Sequence, residues 1–138
     1  MSHAFVRYAE REFDGLCRSV CEMDDGILAV VISEGSELVG TCLRKGFPVP
    51  SKQKLATMLL QAEIVFSIAR ASEDFHGKAR HAILRYANLD EHLFPISAED
   101  RRMMIVSTRP EAMDAELIEK AASIAAAGKE HDKPVLEE

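Results

Sequence analysis

The sequence predicts an α+β fold in which helices sandwich a five-stranded antiparallel sheet, in the order α-β-β-α-β-β-β-α. Three observations lead there. Two apolar runs, "GILAVVIS" and "ELVGTCLRKG", are joined by the short link "SEGSE" with Gly35, the pattern of a hairpin. Three further runs, "HAILRYANL", "EHLFPIS" and "RRMMIVST", are separated only by "NLDE" and "SAEDR", the pattern of a meander. Segments before, between and after them repeat apolar residues at three- and four-residue steps, the period of a helix.

The first helix is expected over about residues 3–23. Phe13, Leu16, Cys17, Val20 and Cys21 share one stripe there. "GILAVVIS" carries six apolar residues in a row and belongs in the middle of the sheet, covered on both faces. The next strand is more broken and suits an edge. "GFPVPSKQKL" is a connection, because Pro48 and Pro50 cannot donate ladder hydrogen bonds. Ser51 is a good N-cap for the longest helix, expected from Lys52 to about Phe75 with Gly77 as its stop. Pro95 weakens the middle strand of the meander, while Met103 to Val106 suits a second central strand. The last helix is expected to start from a capping box, Thr108 with Glu111, with Pro110 tolerated in the first turn.

The chain of 138 residues is long enough for one domain with a real core, expected over residues 1–127. Residues 128–138, "GKEHDKPVLEE", predict a disordered acidic tail. A net charge of −6 argues against nucleic acid as a partner. No apolar run approaches the roughly 20 residues that cross a bilayer, so no membrane partner is expected. The N-terminal "MSHAFVRYAEREFDG" is charged throughout and unlike a secretory signal. Three cysteines are an odd number for a disulfide framework and fit a reducing compartment. A cytoplasmic protein is expected.

The long helix has two apolar faces. Leu55, Met58, Leu59, Ala62, Val65, Phe66 and Ala69 form the stripe expected to pack on the sheet. Leu60, Ile64, Ile68, Ala71 and Phe75 form a second ridge roughly opposite. Each large aliphatic side chain left in water forgoes about 1.5–3 kcal/mol of burial, and monomers seldom show such a patch. Either another part of the chain covers the ridge or a second copy of the helix does. Twofold self-contacts are the commonest oligomer solution, so a homodimer is expected.

The order of elements, with "GILAVVISEGSELVG", the long helix and "MMIVSTRPEAMDAELIEKA", resembles the roadblock / dynein light chain fold over roughly residues 8–127. The α/β sandwich is also similar to profilin. Ala29–Val39, Phe94–Ile96 and Val106–Pro110 further resemble a family of small uncharacterised archaeal proteins. The roadblock resemblance implies a homodimer whose central helices pack side by side and whose third strands pair into one sheet. It assigns Leu60, Ile64 and Ile68, with Ala71 at the end of the ridge, to the helix contact. It assigns Ala82, Ile83, Leu84, Arg85 and Tyr86 to the strand contact. Arg85 departs from that pattern, because a charge on an edge strand discourages pairing. The resemblance implies a non-enzymatic scaffold or regulator acting on a small GTPase or other signalling protein. A PAS-like small-molecule sensor is the alternative, since such sandwiches hold ligands between helix and sheet.

No catalytic motif accompanies these features. There is no P-loop and no G-x-S-x-G elbow. Cys17 and Cys21 stand four apart, as zinc ligands could, but the helical stripe already explains them. His76, His81 and His92 flank the third strand without ligand spacing. Arg44, Lys45, Lys52 and Lys54 surround a helix N-terminus, where an anion could bind or where the loop is simply solvated. No cofactor is expected.

Overall fold

The computed structural model describes residues 5–6 and 11–129. Its elements are β1 (Phe5–Val6), α1 (Asp14–Cys21), β2 (Ile27–Glu34), β3 (Glu37–Arg44), α2 (Lys52–Arg70), α3 (Glu73–His76), β4 (Ala82–Arg85), β5 (Asp90–Ser97), β6 (Arg102–Thr108) and α4 (Ala115–Ala127). All five expected strands form one antiparallel sheet, and the two-residue β1 adds to its edge in the order β1-β3-β2-β6-β5-β4. The two apolar runs lie where their patterns placed them, with β2 and β6 side by side at the centre.

Alternation along the strands divides the molecule into two layers. Val30, Ile32, Cys42, Phe94, Met104 and Val106 face α1 and α4, together with Phe13, Cys17 and Val20. Leu93, Met103 and Ile105 face α2 on the other side, against Leu59, Ala62 and Phe66. Side chains two apart along a strand share a face, so each strand supplies both cores.

The first helix is shorter than expected. It starts at Asp14, whose carboxylate accepts from the N–H groups of Arg11 and Thr41 and so ties the helix start to β3. Phe5 and Val6 pair instead with Arg44 and Leu43. Residues 3–4 and 7–10, also expected in that helix, lie outside the described residues. Gly40 is required here, since a Cβ would sit 2.7 Å from that of Phe13 and 3.0 Å from its backbone.

The long helix also ends early. α2 stops at Arg70, a break follows at Ala71 and Ser72, and α3 ends at Gly77 with φ of 88°. Ser51 caps α2 as expected, accepting from Lys54 N–H. Of the sheet-facing stripe, Ala69 is exposed because the last turn runs out past the core. Pro95 is accommodated in β5 beside a register shift, beyond the reach of β4.

The last helix does not begin at a Thr108–Glu111 box. Thr108 is buried at the end of β6, and Glu111 adopts a φ of 61° in the turn that follows. Asp114 is the cap, its carboxylate accepting from Leu117 N–H. Two competent caps stood six residues apart. The turn Arg109–Ala112, packed close over Gly26, selects the second. Of the tail, residues 130–138 lie outside the described residues.

Candidate functional surface

With about 100° per residue, Leu59, Ala62 and Phe66 point α2 at the sheet, and Ile64 falls nearly opposite. Leu60, Ile64 and Ile68 are accordingly 56%, 50% and 69% exposed. Nothing else among the described residues covers them. Ala71 is exposed at the end of the ridge, and Phe75 on α3 is 85% exposed.

The expected strand contact lies at one border of the sheet. β4 pairs only with β5, so its outer edge offers unpaired backbone groups. Ala82 and Leu84 pack under α2. Ile83 is half-buried on the other face, and Tyr86 is 54% exposed just past the strand. Arg85 is exposed but committed: its Nη1 donates to Asp90 Oδ2 at 2.8 Å across the β4–β5 pair. That carboxylate also accepts from Glu111 N–H. The charge noted in the sequence is thus neutralised within its own sheet.

The four cations near the start of α2 do not converge. Arg44 turns away, its guanidinium donating to the carbonyls of Ile27, Cys21 and Asp24 behind α1. Lys45, Lys52 and Lys54 are exposed.

Two of the three histidines do meet, which the sequence spacing did not reveal. His81 Nε2 and His92 Nδ1 are 3.0 Å apart, with the rings stacked on each other and His81 stacked on Phe94. One ring donates and the other accepts, so the accepting ring is neutral. His92 is 1% exposed, and its Nε2 has no partner among the described residues. Burial, then His81, hold its pKa down at about 4. Burial lowers that of His81 as well, against the pull of Glu119. His76 is exposed and apart. The signal that could have found the pair is the β4–β5 register, which sets Ile83 opposite His92 and carries His81 past it.

Cys17, Cys21 and Cys42 are all buried and free. Burial pushes the Cys17 thiol up, and the Cys42 thiol together with burial pushes Cys21 up, so both stay protonated. Among the described residues no three metal-binding side chains come together, and no helix is long and apolar enough to cross a membrane.

No family model and no curated protein matches the sequence. Solved structures do match in three dimensions. A Roadblock/LC7 domain from Streptomyces avermitilis superposes with a TM-score of 0.64 at 14% identity, over 83% of this chain and 92% of that one. The fold is that of Roadblock/LC7 domains. MglB from Myxococcus xanthus gives 0.64 at 11% identity, over 95% and 99%. The gliding protein MglB from Thermus thermophilus gives 0.58 at 13%, over 94% and 96%. One further MglB structure is described as having a tetrameric arrangement. At these identities the likeness concerns the Roadblock fold alone.

Proposed function

We propose that the chain is a non-enzymatic homodimeric module of the cytoplasm that regulates or scaffolds through protein–protein contacts, with a small GTPase or other signalling protein as its partner. The observation that carries this reading is the outward ridge of Leu60, Ile64 and Ile68, each at least half exposed. Burying three such side chains on each copy is a strong reason to associate. The unpaired edge of β4 offers a second zone of contact, with backbone hydrogen bonds to be gained by strand addition. Roadblock-like neighbours support a regulatory role over a catalytic one, and with no P-loop in its sequence the chain would not itself be the nucleotide binder. The resemblance to small archaeal proteins rests on the apolar hairpin and strand motifs alone.

Light scattering on a size-exclusion column across a dilution series tests the dimer. The expected mass is twice 15.3 kDa. Ile64→Asp should return it to a single chain with unchanged circular dichroism. A wild-type chain that is monomeric at all concentrations, or an Ile64→Asp variant that stays dimeric, rejects this surface.

A PAS-like sensor is the second reading. It is favoured by one specific feature, an open cleft between α2 and the sheet.

A further inference from the structure

α2 covers only part of its face of the sheet. It packs on β4, β5 and β6 and reaches Val31 of β2, while the loop between β3 and α2 lines the rest of that face beside β2 and β3. One row of residues runs across that face: Glu91 on β5 pairs with Ser107 on β6, Ser107 with Ala29 on β2, and Ala29 with Leu43 on β3. The small side chains of Ser107 and Ala29 leave a hollow where neighbouring rows carry Leu93, Ile105 and Val31. Leu55 and Met58 wall the hollow from α2, and Phe47 and Pro50 arch over it. The cleft measures about 450 Å³, within the range that small organic ligands occupy.

Its walls are mostly apolar, with Arg11, Thr41, Lys54, Glu91 and Ser107 as the polar residues among them. Glu91 lines the cleft, and among the described residues its carboxylate forms no ion pair and no hydrogen bond. Burial alone pushes its pKa up. Arg11 and Lys54 line the same cleft but neither pairs with it. A half-buried carboxylate in a mostly apolar hollow, with no protein partner among the described residues, is a site for a group that brings its own cation or donor.

We propose that this cleft binds a small organic amine, its apolar body lying on Ala29, Ser107 and Thr41 and its ammonium paired with Glu91. An ammonium suits the site because it gives the carboxylate a charge-assisted partner, while the hydrocarbon displaces water from the apolar walls. An anionic ligand would set like charge against Glu91 and would have to be held by Arg11 or Lys54, which line the same cleft. This site is independent of the dimer, for a single chain carries the whole cleft.

A matched trio of probes on the full chain tests the assignment: phenylbutylamine, phenylbutanol and phenylbutyrate, titrated at pH 7.5 by calorimetry and by amide chemical shifts. The amine is expected to bind more tightly than the alcohol by about tenfold, the scale of one charge-assisted contact, with the carboxylate weakest. Its affinity should fall as the pH is lowered through the Glu91 titration, because protonation removes the anion. Glu91→Gln keeps the shape and should erase the preference for the amine. Thr41→Leu should block all binding by filling the floor. Both variants are checked by circular dichroism, and each reads the site through a different part of it. The proposal is overturned if no probe binds, if the carboxylate binds as well as the amine, or if Glu91→Gln leaves the order unchanged.

Discussion

The two faces of the sheet are built unequally. On one, α1 and α4 close over Phe13, Val30, Ile32, Phe94, Met104 and Val106, all of them almost fully buried. On the other, α2 is the one long helix, and its buried contribution is Leu59, Ala62 and Phe66. The first face also carries the costly polar groups. Arg102 is fully buried there, pairing with Glu34 at 3.1 Å, donating to the last turn of α4 at Gly128 O, and lying 4.9 Å from the Phe13 ring centroid. The second face carries the features that a stable monomer does not require: an outward aliphatic ridge, an open edge strand and an open cleft. The packed core and the unpartnered surfaces thus lie on opposite sides of one sheet.

That contrast can be broken by substitution. Phe13→Ala, on the closed face, should destabilise the fold by about 3–5 kcal/mol through its cavity and the lost cover of Arg102, as read by urea denaturation. The buried histidine on the same face gives a pH signature. His92 titrates at about 4 in the fold against an ordinary 6.5, so the unfolded chain takes up its proton first as the pH falls. Stability should be full above about pH 6.5 and should drop by up to about 3 kcal/mol on approaching pH 4. His81, Asp90 and Arg85 surround it, and only Asp90 favours the charged form. His92→Phe should flatten that part of the profile measured by thermal melts in matched buffers.

Smaller effects are expected away from the packed layer. Asp114→Ala removes the carboxylate that caps α4 and should cost about 1 kcal/mol, whereas Thr108→Ser at the cap expected from the sequence leaves the helix start untouched. Ile64→Asp, on the open face, should change the stability of the folded chain by no more than about 0.5 kcal/mol, measured at concentrations where it is a single chain. Its effect should fall on association instead. If Ile64→Asp proved as damaging as Phe13→Ala in a monomer, the two faces would not differ as described.

Strand identity was legible because apolar runs and turn residues are local signals. "GILAVVIS" and "RRMMIVST" could only be central strands, and they pair with each other. The second ridge of α2 was legible for the same reason, since a helix converts spacing directly into direction. Less legible were the ends of elements, where two local options compete. Thr108 and Asp114 are both acceptable caps, and Phe5 and Val6 suit a helix stripe or a strand equally well by composition. Long-range contacts chose between them: the Asp14–Thr41 hydrogen bond for the start of α1, and the Gly26–Ala112 approach for α4.

The sequence by itself determined which residues are apolar, at what period, and therefore that a helix with two apolar faces lies over an antiparallel sheet. Only the tertiary structure decided which side chains meet. His81 and His92 stack because strand register aligns them, Arg85 is neutralised because Asp90 lies opposite, and Arg44 is drawn away from the lysines by three carbonyls. The cleft beside Glu91 follows from the same cause. Ala29 and Ser107, small residues on two neighbouring strands, fall into one row only once those strands are paired, and no spacing along the chain records that row.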